Sequence, residues 1–156
     1  MTAQMPAEVG DLQRVAALLG GPGVLRHALR GPLDAHELLA EGLPGEALLH
    51  LVGQLLRLQT SASLEKAMGM SLRTFQRHKT APTKPLSQEQ SGRTWKFAEI
   101  LAKATTVFGS QEEAEQWLER PAIGLEQRRP LDLLATPAGV KLVEDHLERL
   151  EYGVYA

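Results

Sequence analysis

Apolar positions along this chain recur every three or four residues and never alternate for long, which predicts helices and no sheet. An amphipathic helix is expected over Glu8–Gly20, stopped by the run Gly20-Gly21-Pro22-Gly23. Short helices follow at Val24–Arg30 and Asp34–Glu41, the second opening on a D-x-x-E cap from Asp34 to Glu37. Pro44 begins a firmer helix that runs to about Leu58. After a break at Thr80–Pro85, Ser87 and Gln90 form an S-x-x-Q box for a long helix reaching Phe108. Its core stripe is Phe97, Ile100, Leu101, Ala104 and Phe108. Trp95 and Ala102 fall on nearly the opposite side, so the helix needs a second contact from a neighbouring helix, a twin subunit or a partner. Gly109 ends it, and Ser110 with Glu113 caps the next helix, anchored by Trp117 and Leu118 with its glutamates on a solvated face. Pro121–Arg129 reads as a connection and Pro130–Leu134 as a short turn or helix. Thr136-Pro137 is an N-cap followed by proline at the first helical position. The last helix has Val140, Val143, Leu147 and Leu150 on one seam, with Leu142 off it.

Between these elements, Leu64–Lys79 has the pattern of a short helix, a tight turn and a second helix with a basic outer face. Leu64, Ala67 and Met68 share one apolar face, and Gly69 supplies the residue without a Cβ that a sharp turn needs. Ser71 is a good N-cap for the second helix. Leu72 and Phe75 should point inward, while Arg73, Thr74 and Arg77 project to the other side. Arg73 and Arg77 are a like-charge pair four residues apart, mildly unfavourable in isolation, so an anion such as DNA is their natural neighbour. The pattern is a helix-turn-helix. Its DNA-binding residues would be Arg73, Thr74 and Arg77 in the major groove, with Ser71 and Gln76 at the margins. Lys79, with Lys66 and Lys84, would meet phosphates.

Charge is distributed to match. Residues 1–56 carry three basic and six acidic side chains, residues 57–103 nine and three, and residues 104–156 five and ten. The basic block is centred on the helix-turn-helix, where phosphate must be neutralised. The acidic C-terminal block suits a protein partner better than DNA. A composition 43% hydrophobic is enough for a core, yet no apolar run approaches the ~20 residues of a membrane span. No secretory signal pattern opens the chain, and the absence of cysteine excludes disulfides and thiolate metal sites, so a cytoplasmic protein without membrane contact is expected. The histidines His27, His36, His50, His78 and His146 are scattered without ligand spacing, and neither a P-loop nor G-x-S-x-G occurs. Neither a metal, a cofactor nor an enzymatic activity is expected.

The C-terminal third adds a family resemblance. The features that carry it are Val107-Phe108-Gly109, Trp117-Leu118, Pro130-Leu131-Asp132-Leu133-Leu134, Val143-Glu144 and the terminal Glu151-Tyr152-Gly153-Val154-Tyr155-Ala156. Over about residues 95–156 their order and spacing resemble the C-terminal toxin-binding domain of the Xre/MbcA/ParS antitoxins, and residues 40–90 resemble the helix-turn-helix domain those antitoxins carry. The resemblance implies an all-α fold, a helix-turn-helix DNA-binding domain followed by a small helical toxin-binding domain. The expected division is 1–42 (helical or partly flexible), 43–90 and 91–156. It implies an antitoxin that neutralises a RES-domain, NAD-consuming toxin and represses its own operon. A homodimer within a larger toxin–antitoxin complex on operator DNA is expected. Candidate toxin contacts are Arg128, Arg129 and Pro130 ahead of the last helix, with Tyr152, Gly153, Val154, Tyr155 and Ala156 in the aromatic tail. The rival expectations are a stand-alone regulator whose C-terminal half dimerises, and an adaptor that has lost DNA binding.

Overall fold

A computed structural model describes residues 7–60 and 62–153, and no strand occurs among them. The helices are α1 (Ala7–Leu18), α2 (Pro22–Leu25), α3 (Pro32–Glu41), α4 (Gly45–Gln54), α5 (Ala62–Met68), α6 (Leu72–Thr80), α7 (Gln88–Phe108), α8 (Gln111–Glu119), α9 (Pro130–Leu133) and α10 (Pro137–Glu151), with 3-10 turns at Leu58–Thr60 and Ile123–Leu125. The fold is all-α, as the apolar periodicity predicts. Two compact units interleave along the chain: one takes residues up to Gln54 with Arg73–Glu99, the other Leu55–Leu72 with residues from Ile100 onward.

In the first unit Leu19, Leu38, Leu48, Leu51 and Phe97 are fully buried. Two expected helix limits move. α2 stops at Leu25 because Arg26 sits in the left-handed region at φ 59°, which ends the helix well short of Arg30. α3 starts at Pro32, where a missing N–H costs nothing. Asp34 is therefore not its N-cap. Its carboxylate instead accepts the Arg30 N–H at 2.8 Å and fixes the turn before the helix. That contact and the Arg30 side chain hold the Asp34 carboxyl below its usual range. α7 opens as the sequence predicts: Ser87 Oγ accepts from the Gln90 N–H (3.0 Å) and Gln90 Oε1 from the Ser87 N–H (3.1 Å).

The Thr80–Pro85 break is held against the start of α4. The Gly45 and Glu46 N–H groups donate to the Lys84 and Pro82 carbonyls at 2.9 and 2.8 Å, and the Leu86 N–H donates to Leu43 at 2.7 Å. First-turn donors of α4 that no helix bond can reach are satisfied this way. The buried Ser91 Oγ also takes the Leu43 N–H at 2.8 Å. Trp95 and Ala102 are both buried, so the second face of α7 is covered by this chain itself and needs no twin subunit.

In the second unit the largest departure is Glu115. The glutamates of α8 are expected in water, but Glu115 is completely buried. Its carboxylate accepts the backbone N–H groups of Leu56 (3.0 Å), Arg57 (2.8 Å) and Leu58 (3.1 Å), and Gln111 Nε2 at 2.8 Å. These three donors turn to the carboxylate rather than to carbonyls four residues back. That is why α4 ends at Gln54 and not near Leu58. Ser110 caps α8 through the Glu113 N–H (3.1 Å), and Thr136 caps α10 through the Gly139 N–H (3.0 Å) with Pro137 behind it. Leu118, Leu131, Val143 and Leu147 form the core here, whereas Phe108, Trp117, Val140 and Leu150 of the expected stripes are only half-buried.

Candidate DNA-reading and partner-binding surfaces

α5 ends where the sequence places the turn. Gly69 has φ +65°, its N–H reaches the Lys66 carbonyl (3.3 Å), and the Met70 N–H reaches Glu65 (3.2 Å). This paired closure of a helix C-terminus is the Schellman arrangement, and a side chain at Gly69 would be strained. Ser71 lies exposed immediately before α6. On α6 Arg73, Gln76, Arg77 and Lys79 are exposed and Thr74 is half-buried. The guanidinium groups of Arg73 and Arg77 meet no carboxylate among the described residues. Lys79 Nζ lies 5.2 Å from the centre of the Phe75 ring, a cation–π distance that lays its stem along the helix. Lys66 and Lys84 are also exposed. Arg77 and Lys79 in the last turn complement the negative end of the helix dipole.

The inward face of α6 differs from expectation. Phe75 is only half-buried, and the buried residue is His78, at 8% exposure. The side chain of Leu72 lies outside the described ones. His78 Nδ1 has no hydrogen-bond partner, and it stands so close to Gly45 that a Cβ there would come within 2.6 Å of it. His78 follows Phe75 by three residues. That spacing, which places both on one helix face, is the signal that could have found it.

Burial pushes the His78 imidazole below its ordinary value of 6.5, and the Lys84 and Arg77 charges add to the effect. His146 is lowered in the same way by burial, then by Arg149. Both groups therefore bind fewer protons folded than unfolded. Their contribution is complete above about pH 6.5 and is lost as pH falls through the lower folded values. The melting midpoint should drop between about pH 7 and pH 5, and His78→Leu should flatten part of that slope. An unchanged slope would show that His78 does not carry it.

In the second unit, the residues expected to touch a partner fall into three situations. Arg128 is exposed. Arg129 is held by Asp132, with Nε on Oδ2 and Nη2 on Oδ1 at 2.9 Å each, and it also donates to Ser63. Ser63 in turn donates to Asp132 at 2.8 Å, and Pro130 is buried. The guanidinium beside Asp132 holds that carboxyl below its usual range, and the pairing raises Arg129 further. Arg129 and Pro130 thus join α9 to α5. A four-residue helix that would be marginal alone is stabilised by this fork. In the tail Tyr152 is 71% exposed and Gly153 follows it, above an ion pair from Lys103 to Glu151 at 2.6 Å. Val154, Tyr155 and Ala156 lie outside the described residues.

A ladder of half-buried rings completes this domain. Phe108 lies 5.1 Å from Trp117, tilted by 34°, and Trp117 stacks on His146 at 5.9 Å and 10°. Such offset pairs contribute beyond the area they bury. Among the described residues no group of three or more His, Asp or Glu side chains could hold a metal. No helix there is long and apolar enough to cross a membrane.

Comparison with known proteins places names on both regions. Residues 34–99 match the model of the antitoxin Xre-like helix-turn-helix domain. Residues 103–153 match that of the antitoxin Xre/MbcA/ParS C-terminal toxin-binding domain. Three relatives are each called antitoxin Xre. The chain is 32% identical to one from Yersinia enterocolitica over 96 residues, which is 61% of this chain and 64% of that protein. It is 26% identical to one from Pseudomonas putida over 140 residues, covering 90% of this chain and 82% of the relative. A third, from Photorhabdus laumondii, is 27% identical and covers 75% and 78%.

Proposed function

We propose, for a chain that belongs to the Xre/MbcA/ParS antitoxin family, that it neutralises a RES-domain, NAD-consuming toxin and represses its own operon as a homodimer on operator DNA. The observation that carries the reading is the division of charge and exposure between its two matched domains. α6 presents Arg73 and Arg77 to solvent within the basic block. Residues 104–156 carry ten acidic side chains against five basic, and Tyr152 near their end is exposed. A basic helix favours phosphate, and an acidic domain favours a basic protein surface. Two α6 helices in a dimer would enter half-sites ~34 Å apart, one turn of the duplex. Tyr152 and Tyr155 would supply rigid amphipathic contacts to the toxin, with Gly153 permitting close approach and Arg128 at the margin.

The test is co-expression with the product of the neighbouring gene, the expected toxin. Toxin alone should arrest growth and deplete cellular NAD, the full chain should restore both, and truncation after Leu150 should release the arrest while leaving operator binding intact. A full chain that binds DNA but leaves the arrest untouched would favour a stand-alone regulator with a dimerising C-terminal half. A truncated chain that still neutralises fully would remove the tail from the contact.

A further inference from the structure

We propose that the toxin also seats an apolar side chain on an exposed patch centred on His146, formed by Ile123 and Leu142 and continued by the rings of Trp117 and Phe108. This rests on the antitoxin reading above and adds a surface to it, distinct from the tail. Ile123 is 85% exposed and Leu142 53%, in a domain where Leu118, Leu125, Leu131, Val143 and Leu147 are all buried. Isolated exposed aliphatics are ordinary, but the backbone next to one and the helix face that carries the other both meet His146. Leu142 lies one helical turn before His146 on the same face of α10. Ile123 precedes Gly124, where a Cβ would overlap the imidazole, so this stretch of backbone lies directly on it. On the ring, Trp117 stacks and leads to Phe108, both half-exposed. Burial, then the Arg149 charge, keeps His146 below its ordinary imidazole value, so the ring favours its neutral form.

The occupant is argued from charge and from the matched domain. All five residues lie within 103–153, the stretch that matches a toxin-binding domain. Residues 104–156 carry ten acidic side chains against five basic, a balance that disfavours DNA. Exposed Glu126 lies just beyond the Ile123–Leu125 turn beside exposed Arg128, and Arg149 acts on His146. A second copy of this chain would set two acidic surfaces face to face across a two-fold contact. A partner with an apolar knob inside a basic rim meets neither obstacle. Desolvated apolar anchors of this kind carry most of the energy of an interface.

The experiment compares Ile123→Asp with Leu142→Asp, the milder Ile123→Ala with Leu142→Ala, and Leu33→Asp as an equally exposed control in the other unit. Each is co-expressed with the tagged toxin, and affinity, growth and melting midpoint are read together. The alanine pair should weaken toxin binding by roughly tenfold or more, which is about 1.4 kcal/mol. The aspartate pair should weaken it further and restore the growth arrest, with Leu33→Asp like wild type and operator binding unchanged in all three. If the aspartate pair melts early, the alanine pair decides. Wild-type affinity in the alanine pair with an unchanged midpoint overturns the proposal, as does a loss of self-association with toxin binding kept. A wild-type chain that does not hold the toxin overturns the antitoxin reading and this surface with it.

Discussion

Glu115→Ala should lower the stability of the chain by about 3 kcal/mol, the largest effect expected from any single change to its packing. The carboxylate is the acceptor for the Leu56, Arg57 and Leu58 N–H groups, and Leu58 is itself buried. Removing it orphans these donors at a site where water reaches only some of them, and each buried donor left unpaired costs about 1–3 kcal/mol. For a chain of this size the midpoint should fall by roughly 6–12 °C. Glu115→Gln should lie between, because an amide oxygen can accept while the amide NH2 then faces donors. Glu112→Ala, on the exposed side of the same helix, should stay within about 0.5 kcal/mol of wild type. The segment it anchors leads directly into α5 of the same unit, so α5 should loosen with it. Thermal melts of the three variants decide the point. A Glu115→Ala chain melting like wild type would mean that solvent satisfies the three donors.

That residue also marks where sequence reading stops. The signals that held were local. Ser87 with Gln90, Ser110 with Glu113, Thr136 before Pro137 and Gly69 after Met68 all act within four residues, so the chain states them directly. Two local signals failed as well, the Asp34 cap and the extension of α2 past Arg26, but the largest failures act over distance. The end of α4 is decided by a carboxylate 59 residues away, and the burial of Trp95 by packing that periodicity can require but not identify. Glu115 was legible in one respect, since it falls at helical spacing with Gln111 and Leu118 on a face that also holds buried Ala114. Arg129 was legible in the same limited way: its position three residues before Asp132 permits the fork that ties it to α9, while the third partner, Ser63, lies 66 residues back. The basic outer face of α6 needed no distant information. Exposed side chains are set by what they avoid touching, and Arg73 and Arg77 lie where helical spacing puts them.

Arg73→Ala combined with Arg77→Ala should abolish operator recognition while leaving neutralisation of the toxin untouched. Each bidentate arginine–guanine contact discriminates by about 1–3 kcal/mol, so losing both should weaken specific binding by roughly a hundredfold or more. The two side chains are exposed, and no carboxylate among the described residues depends on them. Their loss relieves a like-charge pair at i, i+4 and puts the best helix former at both positions, which offsets the lost interaction of Arg77 with the helix dipole, so α6 should change little in stability. That removes unfolding as an explanation, provided the melting midpoint is not lower than wild type. Lys66→Ala and Lys84→Ala should behave differently, weakening operator and unrelated DNA alike and reducing the dependence of binding on salt. Gel shifts at two salt concentrations separate the two classes, and a reporter on the promoter should be derepressed by the arginine pair alone. Growth rescue by the same variant completes the dissociation, because the residues it alters lie outside 103–153. If the arginine pair still binds the promoter as tightly as wild type, α6 does not read the operator and the basic block serves only to hold phosphate.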